Sequence, residues 1–271
     1  MKNKTCLVTG ANSGIGLETA RGLAAKGAQV IMVCRDQHKG EAARQDIIAT
    51  TGNDKVDLLI ADLASLSSVH QLIATVKSNY DCLHVLINNA GLMTKQREVS
   101  DDGFELQFAV HHLATFVLTQ ALLDRLRSSA PARIINVTSM LHKCGRLNFD
   151  DLQGEQKFSS LGAYGQSKLA MLHYTYDLAE KTQGSGVTVN ALHPGAVATN
   201  IGFPSWMGIF LASPEKGART SLYLAMSPEV EGTSGKYFVN CKPAKSSKAS
   251  YHREEGRRLW EITEKLAAQS A

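Results

Sequence analysis

Short apolar runs alternate with longer amphipathic segments along most of the chain. Seven runs are apolar at consecutive positions and too short for helices, which is typical of strands buried on both faces of a parallel sheet. They are residues 5–9, 30–34, 56–61, 83–88, 133–138, 187–192 and 236–240. Helical periodicity covers residues 14–26, 37–50, 65–79, 101–127, 161–182, 214–226 and, at the end, 251–267.

Strict alternation of strands and helices predicts an α/β fold in one domain over residues 1–271. The expected architecture is a doubly wound, seven-stranded parallel sheet with helices on both faces. Two segments interrupt the alternation, residues 140–160 and 193–212. Both follow the carboxyl ends of predicted strands, where open α/β sheets bind their ligands.

Composition narrows the functional classes. The 271 residues include 29 Lys+Arg and 25 Asp+Glu, a net charge of +4 that is dispersed along the chain. No nucleic-acid partner is therefore expected. The 5 cysteines are far apart and form no CxxC, so neither a zinc site nor any other metal site is predicted. No apolar run approaches the ~20 residues of a membrane span, and the N-terminus leaves no room for a signal peptide. We therefore expect a cytoplasmic protein.

The first predicted strand ends in a glycine-rich loop, residues 9–16, with the sequence TGANSGIG. A helix follows at once, so the backbone N–H groups of the loop and the helix dipole can hold a pyrophosphate. The position predicts a dinucleotide cofactor, although a plain tight turn has the same composition.

The end of the second strand indicates which dinucleotide is bound. NAD sites usually place a carboxylate there for the ribose 2′-hydroxyl. Here Cys34 takes that place and Arg35 follows it. An arginine pairs with a 2′-phosphate, so the cofactor is predicted to be NADP (NADPH). Asp36 either serves as the ribose carboxylate or begins the next helix.

Tyr164 and Lys168 are four positions apart in a helical segment, so their side chains share one face. A lysine cation ~4 Å from the phenol would favour its ionised form by ~4 kcal/mol, which brings the phenol towards general acid–base chemistry. Ser139, at the end of the fifth strand, can hold the same substrate oxygen. The alternatives are a surface Tyr and Lys, and an ordinary strand-end cap.

Together these motifs resemble the short-chain dehydrogenases/reductases, whose fold is a Rossmann domain, over almost the whole chain and in the same order. The matching residues are 9–16, Asp62-Leu63, Asn88-Asn89-Ala90-Gly91, Ser139, 164–168 and His193-Pro194-Gly195. Four short segments, together with the long gap between Ser139 and Tyr164, are similar to sequences in one branch of the family, that of the retinol dehydrogenases and WW-domain oxidoreductases. These segments are residues 33–36, 62–66, 227–232 and 235–238.

The resemblance implies an NADP(H)-dependent oxidoreductase with a cofactor half of about 1–135 and a catalytic and lid half of about 136–271. Tyr164 would carry the proton, Lys168 would tune it and Ser139 would hold the substrate oxygen. Asn88 belongs to the same family motif as Asn89, but its side chain can instead have a buried structural role. The implied cofactor contacts are Gly10, Asn12, Ser13, Gly14, Ile15, Gly16, Arg35, Asp62, Leu63, Asn89, Ala90, Gly91, Tyr164, Lys168, Pro194, Gly195, Val197 and Thr199.

One residue departs from the family pattern. The family usually has an asparagine in the fourth helix, where it is thought to position a water linked to the lysine; here His111 takes its place. A histidine can hold that water or relay the proton itself, can disrupt the relay because it is bulkier, or can be inertly packed. We include it among the candidate catalytic residues. If His111 disrupts catalysis, the chain is instead an NADP-binding regulatory or scaffold protein.

Residues 201–211 are very apolar for an irregular segment, and the family has a substrate lid there. With Gly202 and Gly208 as hinges, this lid indicates a hydrophobic alcohol or carbonyl substrate, such as a retinoid, steroid or lipid aldehyde. A small ketone, a lid packed on its own core, or a patch on a membrane surface are the alternatives. The fourth and fifth helices form dimer faces in many relatives, so a homodimer or homotetramer is one interpretation. The apolar residues of these helices are explained equally well as core, and the sequence leaves the oligomeric state open.

Overall fold

The computed structural model describes residues 1–197 and 212–268. Its strands are β1 (Thr5–Thr9), β2 (Gln29–Cys34), β3 (Val56–Ile60), β4 (Val85–Asn88), β5 (Ala132–Val137), β6 (Val187–His193), β7 (Lys236–Val239) and β8 (Lys242–Ala244). Its longer helices are α1 (Gly14–Ala25), α2 (Gln37–Thr51), α3 (Leu66–Asn79), α4 (Leu106–Ser128), α5 (Ser160–Lys181), α6 (Pro214–Met226) and α7 (Arg253–Ala268). Short 3₁₀ turns are Met140–Cys144, Pro228–Val230 and Lys248–Tyr251.

The described strands form one sheet in the order β3-β2-β1-β4-β5-β6-β7-β8. This confirms the doubly wound α/β fold, but the predicted count of seven strands is wrong because β8 pairs antiparallel with β7. Asn240 and Cys241 turn the chain at φ 48° and 60°, left-handed values that are typical of tight hairpins. The eighth strand has three exposed residues and contains Pro243, so it shows no apolar pattern from which to predict it.

The strand order reverses between β1 and β4, which are neighbours in the sheet although β2 and β3 separate them in the chain. Open α/β sheets bind ligands in the crevice at such a reversal. Behind this crevice, Asn88 at the end of β4 donates from Nδ2 to Asn136 Oδ1 at 2.8 Å and to Thr119 Oγ1 at 3.1 Å. The side chain of Asn88 therefore has the buried structural role that was its alternative.

Two hydrophobic cores cover the two faces of the sheet. One packs α3, α4, α5 and α7 around buried residues such as Leu86, Leu113 and Tyr174. The other packs α1, α2 and α6 around residues such as Leu23 and Phe238. The helices thus lie on both sides of the sheet and leave the carboxyl ends of the strands as the free edge for a ligand.

The fourth helix begins later than its periodicity predicts. Glu105 accepts hydrogen bonds from the backbone nitrogens of Gln107 at 3.0 Å and Phe108 at 2.8 Å, which fixes the start of α4 at Leu106 rather than at residue 101. Residues Ala109–Leu113 form a π-helical turn within α4. Such turns are frequent at functional sites, and this one contains His111.

Candidate active site

A cleft of about 420 Å³ lies at the carboxyl ends of the strands, where the strand order reverses. The glycine loop lines one end of it, and Tyr164 and Lys168 line the other. Most of the predicted cofactor residues line the same cleft: Gly10, Asn12, Ser13, Gly14, Ile15, Gly16, Arg35, Asp62, Leu63, Asn89, Ala90, Gly91, Tyr164, Lys168 and Pro194. One cleft therefore joins motifs that are up to 184 positions apart in the chain, from Gly10 to Pro194.

Two predicted cofactor residues within the described part of the chain are not among the lining. Gly195 adopts φ +94° at the turn after β6 but does not line the cleft. Val197 is 3% exposed and packs with Ile15 and Ala218, so its side chain is part of a small core rather than a cofactor contact. Thr199 and the apolar segment 201–211 lie outside the described residues.

The glycine loop has the geometry that a pyrophosphate requires. Gly10 and Gly14 adopt φ +66° and +54°, and a Cβ on Gly16 would lie 2.2 Å from the carbonyl oxygen of Gly10. Asn89 holds the loop, because its Nδ2 donates to the Thr9 carbonyl at 2.8 Å. Within the described residues, no side chain caps the N-terminus of α1. Its backbone N–H groups are therefore available to an anion, and the loop fits the phosphates of a dinucleotide.

The adenosine end of the cleft contains two cations. Arg35 is exposed and, within the described part of the chain, its guanidinium makes no hydrogen bond or ion pair. Asp36 is engaged elsewhere, since its Oδ1 accepts from the backbone nitrogen of Lys39 at 3.0 Å and caps α2. Of the two roles considered for Asp36, the geometry thus shows the helix start. Lys39 also lines the cleft, and its position four residues after Arg35 was a signal that the sequence analysis missed.

The catalytic candidates Tyr164 and Lys168 lie at the other end of the cleft. Tyr164 and Lys168 lie on one face of α5 and are 7% and 3% exposed. The Lys168 Nζ donates to the Val137 carbonyl at 3.2 Å and lies 5.7 Å from the centre of the Tyr164 ring. Ser139 follows β5, and its hydroxyl lies near enough to the Tyr164 phenol to lower the pKa of that phenol. Its Oγ also accepts from the Leu141 backbone nitrogen at 3.2 Å, so Ser139 is a strand-end cap as well.

Burial decides the acid–base properties of this pair. Burial raises the pKa of Tyr164, and the neighbouring Ser139 hydroxyl opposes that rise only in part. It lowers the pKa of Lys168 to about 7. The expected lowering of the tyrosine pKa by a lysine cation is thus not seen, because desolvation disfavours both charged forms. The phenol of Tyr164 stays protonated at neutral pH, the state that a proton donor requires.

His111 is completely buried, and both of its ring nitrogens are hydrogen-bonded. The Leu92 backbone nitrogen donates to Nε2 at 2.9 Å, so Nε2 carries no proton. Nδ1 lies 2.8 Å from Ser167 Oγ, which itself donates to the Tyr164 carbonyl at 2.8 Å, so Nδ1 is the donor in that pair. Burial, with the charge of Lys168, holds the pKa of His111 well below its ordinary value. The geometry favours a neutral, packed histidine over a proton relay.

We expect the His111→Asn variant to keep the shape of the wild-type pH–rate profile between pH 6 and 7. Its kcat should change by less than about tenfold, because one neutral hydrogen bond is worth ~1 kcal/mol. The measurement is kcat against pH for both proteins. Ser167→Ala, which breaks the same chain of hydrogen bonds at its other end, is the matched control. A pH–rate profile that flattens in His111→Asn but not in Ser167→Ala would instead support a proton relay through His111.

A larger cavity, of about 1000 Å³, lies at the opposite edge of the sheet, near the amino-terminal ends of the strands. Its lining includes His84, Arg133 and His173, and it contains none of the predicted catalytic or cofactor residues. We therefore place the active site in the smaller cleft, where the chemistry-bearing residues converge.

The family profile described as short chain dehydrogenase matches residues 4–206, and the chain belongs to this family of nicotinamide-dependent oxidoreductases. Mouse retinol dehydrogenase 12 is 42% identical over 268 residues, which are 96% of this chain and 85% of that protein. The resemblance to the retinol dehydrogenase branch is thereby confirmed.

Solved structures agree with the fold. A crystal structure of an uncharacterised protein from Mycobacterium paratuberculosis superposes with a TM-score of 0.83 at 34% identity, over 98% of this chain and 94% of that one. A short chain dehydrogenase from Shigella flexneri, solved in complex with NADP, superposes with a TM-score of 0.74 at 28% identity, over 89% and 98% of the two chains.

The expected cytoplasmic location is wrong. It depended on the lack of a long apolar segment, whereas α4 has 23 residues and a window of mean hydropathy 1.3, enough to cross a membrane by length and composition. The finding that contradicts the expectation is the match to retinol dehydrogenases over almost the whole chain. Since 83% of the α4 window is buried, this helix also forms part of the core.

Proposed function

We propose that this chain is an NADPH-dependent carbonyl reductase that acts on hydrophobic aldehydes or ketones and can run in reverse as an alcohol dehydrogenase. The observation that carries the proposal is the single cleft in which the glycine loop, Arg35, Tyr164 and Lys168 converge. This arrangement provides one place for a dinucleotide and, at its end, a buried proton donor.

The preference for NADP is supported by the adenosine end of the cleft. Arg35 and Lys39 supply positive charge there, while Asp36 is engaged as the cap of α2. A 2′-phosphate would pair with the guanidinium, whereas a 2′-hydroxyl would gain little from it. The NADP bound to the Shigella flexneri relative supports the same choice.

Roles follow for the chain's own residues. A bound nicotinamide supplies or accepts the hydride. The Ser139 and Tyr164 hydroxyls hold the substrate oxygen, and Tyr164 delivers a proton to it as negative charge develops. Lys168, with a pKa of about 7, is placed to return that proton. The loop Asn89–Gly91 and Pro194 line the cofactor side of the cleft.

The hydrophobic substrate class is supported by two exposed apolar side chains that are close in sequence to the catalytic residues. Met140 directly follows Ser139 and is 51% exposed, and Leu161 lies one helical turn before Tyr164 and is 47% exposed. Exposed apolar side chains at these positions favour an apolar carbonyl compound. Retinol, the alcohol in the name of the mouse relative, has this character.

The test is NADPH oxidation with a panel of apolar aldehydes and ketones that includes retinal. We expect turnover with at least one long-chain or ring-containing carbonyl and little with small polar ones. Cofactor binding without turnover on any substrate would favour the regulatory alternative. The inert geometry of His111 gives that alternative no support, since it leaves Tyr164 and Lys168 in place.

We infer that the chain is a monomer rather than the homodimer or homotetramer that its sequence leaves open. α7 lies across the outer face of α4 and α5, where the Trp260 ring packs 5.1 Å from the Phe116 ring and 5.5 Å from the Tyr174 ring. Thr263 Oγ1 also lies 2.9 Å from His112 Nε2. The face that would form a dimer is thus covered by the chain itself. Light scattering after gel filtration should give the monomer mass of 29.3 kDa at micromolar concentration; a stable dimer would contradict this inference.

A further inference from the structure

His142 is a fully buried histidine in the 3₁₀ turn that follows Ser139. Its Nδ1 lies 2.6 Å from the Ser139 carbonyl oxygen, and its Nε2 lies 3.0 Å from the backbone nitrogen of Ser247. Ser247 is more than a hundred positions away in the chain. None of the roles given above to cofactor, substrate or proton transfer involves this imidazole.

The partners of His142 define its protonation state. A backbone N–H only donates, so Nε2 must be the unprotonated acceptor from Ser247. A carbonyl oxygen only accepts, so Nδ1 must carry the proton that it donates to Ser139. A neutral imidazole satisfies both partners, whereas the imidazolium or the other tautomer would leave one of them unsatisfied.

The turn around His142 is fixed to the helix that carries the catalytic tyrosine. A Cβ on Gly145 would lie 2.2 Å from the carbonyl oxygen of Gly165, the residue after Tyr164, so the two backbones are in direct contact. The Met140 backbone nitrogen donates to His193 Nδ1 at 3.3 Å. The peptide units on the carboxyl side of Ser139 are therefore held from two directions, and His142 holds the carbonyl of Ser139 itself.

Ser247 is a fixed donor because its own segment is anchored to α5. The neighbouring Ser246 Oγ lies 2.7 Å from the Tyr176 hydroxyl and 2.7 Å from Ser250 Oγ. The segment that precedes α7 is thereby tied to the same helix as Tyr164. A hydrogen bond from Ser247 thus gives the His142 ring a reference point in the rigid part of the fold.

We propose that His142 is a positioning residue for Ser139: its neutral imidazole bridges the Ser139 carbonyl to the backbone of Ser247 and so sets the direction in which the Ser139 hydroxyl points. The proposal rests on the proposed function only for the role of Ser139 in holding the substrate oxygen. His142 itself touches neither substrate nor cofactor.

The first test compares kcat for His142→Leu and His142→Asn. His142→Leu removes both hydrogen bonds and should lower kcat by about tenfold, while KM and NADPH affinity stay near wild type, since a misdirected hydroxyl acts mainly in the transition state. The Asn amide can still donate to the Ser139 carbonyl, so His142→Asn should recover most of kcat. His70→Asn, on the exposed face of α3, is the control. No rescue by asparagine would contradict the proposal.

A double-mutant cycle separates positioning from general loss of structure. In the Ser139→Ala background there is no hydroxyl to direct, so adding His142→Leu should lower kcat by less than about twofold. If His142→Leu costs the same factor with and without the Ser139 hydroxyl, the proposal is overturned.

A third readout does not depend on turnover. Nitrogen-15 NMR should show His142 protonated at Nδ1 alone, with its signals identified by their absence in His142→Asn. The carbon-13 shift of the Ser139 carbonyl should move in His142→Leu and return towards wild type in His142→Asn. An Nε2-protonated ring, or a Ser139 shift unchanged in His142→Leu, would overturn the proposal even if no substrate were found. If these NMR results are obtained but no substrate is turned over, the proposed function is refuted, whereas the bridge that His142 forms to Ser139 is confirmed.

Discussion

Replacing Tyr164 with phenylalanine is expected to lower turnover by about 10²- to 10⁴-fold, the range that a positioned general acid contributes. The variant removes the hydroxyl of Tyr164, a residue that is 7% exposed and lines the cleft. NADPH affinity should change by only a few fold, because the glycine loop and Arg35 are untouched. Steady-state NADPH oxidation and cofactor titration by fluorescence give the two quantities.

Tyr223→Phe is the matched control for this variant. It removes the same hydroxyl from a tyrosine on α6, where the phenol donates to Glu229 at 2.9 Å and does not line the cleft. Its turnover should equal that of the wild type. If Tyr164→Phe were also within a few fold of wild type, another group would have to supply the proton.

The second large effect is expected at the cofactor's adenosine end. Arg35→Ala should reduce the ratio of kcat/KM with NADPH to that with NADH by about 10- to 150-fold, since a charge-assisted hydrogen bond is worth ~1.5–3 kcal/mol. Most of the change should be a raised KM for NADPH. Lys39→Ala should act in the same direction with a smaller effect, because its ammonium also lies 3.7 Å from Asp36.

Two controls test the origin of this selectivity. Arg44→Ala removes a cation from α2 that pairs with Glu41 at 2.8 Å and does not line the cleft, and it should leave the ratio unchanged. Arg35→Lys keeps the charge but loses the planar fork, so its ratio should fall between wild type and Arg35→Ala. An unchanged ratio in Arg35→Ala would exclude Arg35 as the source of NADP selectivity.

The fold follows from local patterns where those patterns are strong. β1 and α6 have the predicted bounds, because an unbroken apolar run and a Ser-Pro helix start are encoded in neighbouring residues. The predicted start of α4 was too early, because the residues before Glu105 continue the helical spacing of the sequence. The helix begins only after Glu105, whose carboxylate caps its first turn. β8 was missed because pairing across a hairpin, rather than burial, makes it a strand.

The site was predictable only as far as strand ends determine it. Motifs at the carboxyl ends of parallel strands necessarily meet in one crevice, so the sequence could indicate the cleft. Burial and long-range partners decide the rest. The low pKa of Lys168 comes from desolvation, and the state of His111 depends on Leu92 and Ser167, 19 and 56 positions away. The cytoplasmic expectation failed because it depended on single apolar runs, whereas the finding that contradicts it is the similarity of the whole chain to retinol dehydrogenases.

The most direct test of the central claim follows the hydride itself. Wild-type protein is incubated with NADPH deuterated at C4 of the nicotinamide, in each stereochemical form, and with the best apolar aldehyde of the panel; the alcohol is then analysed by mass spectrometry. We predict one deuterium per product molecule from one of the two forms, and almost no labelled product with Tyr164→Phe. Product without deuterium from either form, or equal labelling by wild type and Tyr164→Phe, would contradict the account.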